Sequence, residues 1–206
     1  MTRQAPFDRC GGHPALDFVN SLDNRFGDRG RIEGLQTYED LLRFTHETGL
    51  LDPVRGRQIA QTVTPDAAAR ALRAGRSLRE ALAAIFYGVL EGRGPSSADL
   101  ATLERHLHSA DRHRDLRWQA GSDQRVGLVW SWRSNEANAE LPVWVIAQAA
   151  LELLLSSEAT RVRACEASSC RWLFLDTSRN HMRRWCKMKV CGNRSKARRY
   201  QARHSG

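Results

Sequence analysis

Four cysteines near the C-terminal end place the strongest constraint on how this chain can fold. Cys165, Cys170, Cys186 and Cys191 follow the pattern C-x4-C-x15-C-x4-C. Two close pairs joined by a short connection let each pair make a tight turn that points two sulfur atoms at one position. Thiolate is a soft ligand, and four thiolates with no open coordination position select zinc in a structural role. The spacing therefore predicts one structural Zn²⁺ ion.

The spacing alone leaves two alternatives open, because the four cysteines could form two disulfides or be unrelated buried thiols. The N-terminal segment has no apolar stretch typical of a secretory signal. The longest apolar stretch, 141–155, is interrupted by Pro142, Gln148 and Glu152 and is shorter than the roughly 20 residues that span a bilayer. We therefore expect a cytoplasmic protein without a membrane span, in which disulfides are rare. Cys10 stands apart and is interpreted as an incidental thiol.

The positive charge of the chain is concentrated around the same cysteines. The 206 residues include 32 Lys and Arg against 23 Asp and Glu, a net charge of +9. Residues 161–206 contain 13 basic residues against Glu166 and Asp176, a charge of +11, whereas residues 1–160 sum to −2. One zinc ion held by four thiolates would still leave this segment at about +9. Such a density favours nucleic-acid binding over a merely solvated charged surface.

The residues between and after the cysteines predict a small treble-clef-like finger. Segments 171–176 and 183–188 are predicted as two strands joined by the polar turn 177–180. Asn193 is a candidate N-cap for a helix that begins just after the last cysteine. This segment has too few aliphatic residues to build a sufficient core. Zinc must therefore supply much of its folding free energy.

The predicted C-terminal helix presents its basic residues on adjacent faces. Lys196, Arg199 and Arg203 lie at i, i+3 and i+7, and Arg194 with Arg198 forms a neighbouring stripe. Such a surface suits contacts to phosphates or bidentate contacts of Arg to guanine. The candidate nucleic-acid-binding residues are these five and three bases that precede them: Arg194, Lys196, Arg198, Arg199, Arg203, Arg183, Arg184 and Lys187.

Four motifs in this segment resemble those of one known family. They are Cys191-Gly-Asn-Arg194, Arg184-Trp-Cys186, Trp172-Leu-Phe-Leu-Asp176 and Lys196-Ala-Arg-Arg199. Together they are similar to the CGNR zinc finger. The resemblance implies that Cys165, Cys170, Cys186 and Cys191 are the zinc ligands, since the four ligands of the family map onto them without a departure.

A second resemblance concerns the front of the chain. Leu16-Asp-Phe-Val-Asn20, after Gly11-Gly12, is similar to the ABATE domain that accompanies the CGNR finger, although Ser21 stands where Thr is common. The two resemblances cover nearly the whole chain. They imply a stress-induced transcription regulator that binds nucleic acid, without naming its target.

The part that precedes the finger is predicted to be mainly helical with a small β-hairpin. Helices are predicted to start at the capping box Thr37-x-x-Asp40, at Thr64-Pro65-Asp66 and at 95–99. A further helix, expected to be buried, is predicted over 143–155. Gly75 could split or bend the second of these helices. Short apolar runs between 115 and 133 predict the hairpin. The predicted domains are 1–158, a helical sensor or oligomerisation module, and 159–206, the zinc finger with its basic helix.

No arrangement of residues in the sequence indicates catalysis. Asp17 and Asn20 are the polar groups of the 16–20 segment expected to be partly buried, where a hydrogen-bonding role is favoured over ligand binding. The chain has no Gly-rich phosphate loop, nucleophile elbow or HExxH motif, so we expect that it is not an enzyme.

Three functions are compatible with this sequence. The first is a transcription regulator whose finger binds DNA while the helical domain senses a small-molecule effector or forms a homodimer. The second is a zinc-ribbon-like RNA-binding protein in which Trp172, Trp185 or Tyr200 stacks on bases. The third is a protein–protein interaction module whose basic surface meets an acidic partner.

Overall fold

A computed structural model describes residues 5–27, 30–119, 127–133 and 138–204. Within these ranges the α-helices are α1 (Pro14–Asn20), α2 (Tyr38–Glu47), α3 (Pro53–Thr62), α4 (Pro65–Leu90), α5 (Ser97–Asp111), α6 (Leu141–Leu155) and α7 (Asn193–His204). The described strands form antiparallel pairs: β1 (Leu22–Asp23) with β2 (Ile32–Glu33), β3 (Arg114–Gln119) with β4 (Gly127–Trp132), and β5 (Val162–Ala164) with β6 (Leu173–Leu175). The predicted class, mainly helical with a small hairpin before a zinc finger, is confirmed.

Capping side chains set where the helices begin. The Thr37 hydroxyl accepts a hydrogen bond from the Asp40 backbone N–H, and the Asp40 carboxylate accepts from the Thr37 N–H, which is a capping box. Thr64 caps α4 in the predicted way. Gly75 does not interrupt α4. A Cβ there would stand 3.3 Å from Leu41, so the glycine lets α2 and α4 approach closely.

Helix α6 lies at the centre of the helical body. It packs against α1, α2, α4 and α5, and Val143 and Ile146 are fully buried. The sequence of α6 is apolar on most sides, which predicted a central position, and in the structure other helices cover those sides. No helix in the described ranges is long and apolar enough to cross a lipid bilayer.

The strands of the finger share the core of the helical body. Val162, Leu173 and Leu175 are buried in the same cluster as α1 and α6, and β6 lies against α1. The pairing of these strands differs from the prediction, which joined 171–176 to 183–188. Segment 183–188 forms no strand. One side of β6 pairs with β5, and the Asn20 side chain and the Gly11 carbonyl bind the remaining backbone groups of Leu173 and Leu175. The domain division near residue 158 stays a prediction, whereas the packing joins β5 and β6 to the body.

Candidate metal centre

Two tight turns bring the four cysteines together. In the first, the backbone N–H of Cys165 donates to the Trp172 carbonyl at 2.8 Å, and that of Cys170 donates to the Ala167 carbonyl at 2.9 Å. In the second, the N–H of Cys191 donates to the Lys187 carbonyl at 2.9 Å within a single π-helical turn, Met188–Gly192, which leads into α7. Cys191 therefore lies two residues before Asn193, where the basic helix begins.

The geometry of the sulfur atoms fits one tetrahedral metal ion. The four Sγ atoms lie within 4.8 Å of one another. The Cys170–Cys186 and Cys186–Cys191 sulfur distances are 3.6 and 3.7 Å. A tetrahedral zinc ion with Zn–S bonds of about 2.3 Å would separate its sulfurs by about 3.8 Å, whereas a disulfide bond is about 2.05 Å long. The donor set and its spacing thus suit a single structural zinc, and the disulfide alternative does not hold for this arrangement.

The thiols perturb one another strongly because they are so close. Hydrogen bonds from Cys170 and Cys186 lower the pKa of the Cys165 thiol, since they stabilise its thiolate. The pKa of Cys170 is raised, chiefly because it is the donor to that thiolate. A first thiolate is therefore favoured and further ones are opposed by the crowding of negative charge. A divalent cation removes this opposition, which is why metal binding and thiol deprotonation occur together at such sites.

The two polar residues singled out in the N-terminal motif lie where the body meets the finger. The Asn20 side chain makes two hydrogen bonds to the backbone of Leu173 in β6, at 2.8 and 2.9 Å. The Asp17 carboxylate accepts a hydrogen bond from the Gly11 N–H at 2.8 Å. Burial raises the pKa of Asp17 to about 7, and the Gly11 hydrogen bond opposes that rise. Both side chains therefore make hydrogen bonds to the backbone within the fold.

The predicted basic residues divide into two sets. Arg184 forms an ion pair with Glu166, and Lys187 forms one with Asp8. Arg183 turns inward and donates to backbone carbonyls, among them that of Trp185 at 3.0 Å. These three bases are therefore engaged within the molecule.

The other set lies on α7. Arg194, Lys196 and Arg198 are exposed there. The Arg198 guanidinium donates to the Ser168 hydroxyl at 2.8 Å, beside the first cysteine turn. The side chains of Arg199 and Arg203 lie outside the described part of the structure.

The aromatic residues considered for base stacking differ in their accessibility. Trp185 is 8 % exposed and packs in the finger beside the cysteines. Trp172 is half-buried, and its indole N–H donates to Asp23 at 2.8 Å. Tyr200 is 65 % exposed on α7 and stacks with His204 at 4.1 Å. Of these three, Tyr200 has the most exposed side chain, although His204 covers one side of its ring.

Comparison with known families agrees with this geometry. Residues 12–157 match the ABATE family, described as "putative stress-induced transcription regulator". The chain belongs to the ABATE family. Residues 161–204 of this ABATE protein match the CGNR zinc finger, which confirms the resemblance seen in the motifs. No curated protein matches the chain.

The glycine of the CGNR motif in this ABATE protein has a packing reason. A Cβ at Gly192 would lie 2.4 Å from the Met188 sulfur and 2.8 Å from the Trp185 ring. Any larger residue would therefore push the π-helical turn away from the tryptophan. Sequence reasoning missed this constraint, although the motif itself contains the glycine.

Sequence reasoning also missed how Asp176 and Arg183 organise the second pair of cysteines. The buried Asp176 carboxylate accepts hydrogen bonds from the Ser178 N–H at 3.0 Å and the Arg183 N–H at 2.9 Å. The Arg183 guanidinium then lies over the Phe174 ring, 4.4 Å from its centroid, and donates to the Cys186 carbonyl. The acid in the Trp172–Asp176 motif was the available signal.

Proposed function

We propose that this ABATE-family protein is a transcription regulator that binds DNA through α7 and has no enzymatic activity. The observation that carries the proposal is that the bases on α7 lack the carboxylate partners that neighbouring bases have. Arg184 and Lys187 have carboxylate partners, whereas Arg194, Lys196 and Arg198 have none among the described residues. Helix α7 itself contains no acidic residue. An exposed helix with unneutralised bases is the arrangement that phosphate contacts require.

The dimensions of α7 suit a groove of duplex DNA. An α-helix with its side chains is about 10–12 Å across, which matches the major groove, about 12 Å wide. The 12 residues of α7 extend about 18 Å along it at about 1.5 Å per residue. Zinc, when bound, supplies a rigid connection between the two cysteine turns. Because Cys191 lies just before α7 and Arg198 reaches Ser168 in the first turn, the helix is held at both points. We infer that Arg194 and Arg198 position the finger on phosphates or read guanine.

The helical body would then supply regulation, through a small-molecule effector or through dimerisation. We place the protein in the cytoplasm, a compartment in which the thiolates stay reduced for zinc. Recognition of single-stranded RNA is a second candidate, and the exposed Tyr200 ring beside the basic residues favours it. An acidic protein partner would use the same charges without needing the tyrosine.

Binding assays with matched variants test the proposal. The zinc-loaded full chain is titrated against duplex DNA of random sequence, single-stranded RNA and an acidic peptide at about 50 mM salt. The variant Arg194→Ala/Lys196→Ala/Arg198→Ala should lose DNA binding and keep its zinc. The control, Arg57→Ala/Arg70→Ala/Arg73→Ala, removes three exposed bases from the body and should bind as the native chain does.

The outcomes separate the candidates. Tighter binding to duplex DNA than to the other two probes supports the proposal, whereas preference for RNA with dependence on Tyr200 supports the second candidate. No binding to either nucleic acid, or equal loss in the control, would contradict the role given to α7.

A further inference from the structure

One face of the β3–β4 hairpin is covered by exposed apolar side chains. Leu116, Trp118, Leu128 and Trp130 expose 54, 67, 67 and 57 % of their surface. Residues two apart on a strand point to the same side, and the register pairs Leu116 with Trp130 and Trp118 with Leu128. The four side chains therefore form one continuous patch, which we call the hairpin face.

The hairpin face has no role in holding the hairpin to the body. That role belongs to the base of the hairpin, where Trp132 stacks on the buried Trp144 with ring centroids 6.1 Å apart. The Arg114 guanidinium lies over the Trp132 ring, 5.6 Å from its centroid, and over the Trp130 ring at the inner edge of the hairpin face, 4.9 Å from its centroid. Beyond the base, the apolar side chains lie in water. A contiguous patch of this kind on a small protein marks a contact surface.

We propose that the hairpin face is the contact of a homodimer, in which the hairpins of two copies pack face to face about a two-fold axis. A two-fold contact requires a surface that fits itself. On the hairpin face the large and small side chains alternate as on a checkerboard, with Leu beside Trp both along each strand and across the pair. A two-fold axis in the plane of the face, along or across the strands, therefore places every Trp over a Leu. Large side chains meet small ones throughout, which lets the two faces interdigitate.

The charge distribution also favours a second copy at this place. The four residues of the hairpin face are uncharged, with one cation, Arg114, at its inner edge over Trp130, and the face lies on the part of the chain, residues 1–160, that sums to −2. The finger segment carries +11. Two copies that meet through their fingers would repel each other strongly, whereas two copies that meet through their hairpins avoid that repulsion.

The area that the dimer would bury sets its expected affinity. At their observed exposure each Trp offers on the order of 150 Å² and each Leu on the order of 100 Å². Two faces would together bury about 1,000 Å², which is the size of weak and transient interfaces. The structure thus points to a reversible dimer that dissociates in the micromolar range. The dimer does not depend on the DNA-binding proposal, although it would present two fingers to a site with repeated halves.

Sedimentation equilibrium of the zinc-loaded full chain over the micromolar range tests the proposal. The native chain should show a monomer–dimer equilibrium. Leu116→Lys/Leu128→Lys should weaken the dimer by about tenfold or more, since a two-fold axis presents each substitution twice. The matched control is Leu155→Lys/Met182→Lys, which adds the same two charges at apolar side chains that are 79 and 77 % exposed elsewhere. It should leave the equilibrium unchanged.

Two further measurements keep the result interpretable. Circular dichroism and zinc content show whether the lysine variant is folded. Leu116→Ala/Leu128→Ala keeps the hairpin apolar and should weaken the dimer by a smaller factor. A native chain that is monomeric at every concentration would overturn the proposal, as would an equal loss of dimer in the control. DNA binding that persists in a monomeric variant would leave the function of α7 standing on its own.

Discussion

Asn20 and Leu173 are joined by two hydrogen bonds, although they lie 153 positions apart in the sequence. The Asn20 amide Nδ2 donates to the Leu173 carbonyl at 2.8 Å, and its Oδ1 accepts from the Leu173 N–H at 2.9 Å. Both residues are buried. The Asn20 amide thus takes the place of a neighbouring strand for β6 and ties α1 of the helical body to the finger.

Replacement of this amide should destabilise the whole protein. In Asn20→Ala the Leu173 N–H and carbonyl lose their partners in a buried position, at a cost of about 3 kcal/mol in the free energy of unfolding. Urea unfolding in the presence of zinc measures it. Asn180→Ala, in an exposed turn, is the control and should change stability by less than about 0.5 kcal/mol. A similarly small change in Asn20→Ala would show that the two hydrogen bonds do not couple the parts.

Asp17 should make folding stability depend on pH. Its pKa is raised to about 7 by burial, so between about pH 4 and pH 7 the unfolded chain has released a proton that the folded chain keeps. Stability conferred by the protonated acid is therefore lost as pH rises through this window, by up to about 1.4 kcal/mol per pH unit. Asp17→Asn removes this dependence. Urea unfolding of both proteins from pH 5.5 to 8 should diverge up to pH 7 and run parallel above it; parallel curves throughout would contradict the shift.

Loss of one cysteine of the cluster should release the metal without unfolding the body. In Cys186→Ser we expect the zinc content to fall from about one ion per chain to near zero, because three thiolates no longer close the shell. Segment 183–204 should become sensitive to protease. Strands β5 and β6 should persist, since Val162, Leu173 and Leu175 pack in the main core.

Cys10→Ser is the matched control for this experiment. Cys10 packs beside the cluster but does not belong to the group of four sulfurs. It should therefore retain zinc. Full zinc content in Cys186→Ser, or equal loss in Cys10→Ser, would contradict the assignment of the ligands.

The salt dependence of DNA binding should report the bases on α7 individually. Each phosphate contact contributes about 0.9 to the slope of log K against log salt concentration. Arg198→Ala should lower that slope by about 0.9, and Arg73→Ala, on the exposed surface of α4, should leave it unchanged. Fluorescence anisotropy between about 50 and 200 mM salt measures the slopes. An unchanged slope in Arg198→Ala would remove this residue from the interface.

Local signals in the sequence predicted much of the secondary structure. Thr37 and Thr64 cap helices where their side chains and the acids after them indicated. Two helices were missed, although the same signals precede them: α1 begins with Pro14 after the capping His13, and α3 with Pro53 after the capping Asp52. Helix α1, with 7 residues, is too short to show a clear helical period. Helix α3 is as long as α2 but buries only Ile59, so it lacks the apolar repeat that marks a helix packed on a core.

The second strand predicted in the finger, 183–188, was wrong because strand pairing depends on distant residues. Segment 183–188 resembles a strand in composition, but the backbone of β6 is already paired. Val162–Ala164 pairs with it on one side, and Asn20 and the Gly11 carbonyl bind it elsewhere. These partners come from distant parts of the chain, and local composition cannot reveal which of them will bind the backbone of β6.

The sequence by itself determined the zinc ligands, the basic helix and the family, because spacing, charge and motif are properties of neighbouring residues. Only the tertiary structure decided that Asn20 binds Leu173, that Arg183 turns inward while Arg198 stays exposed, and that four apolar residues of the hairpin face remain uncovered. Each of these depends on which distant surfaces meet when the chain excludes water from its core, and the outcome is settled by the packing of the whole molecule.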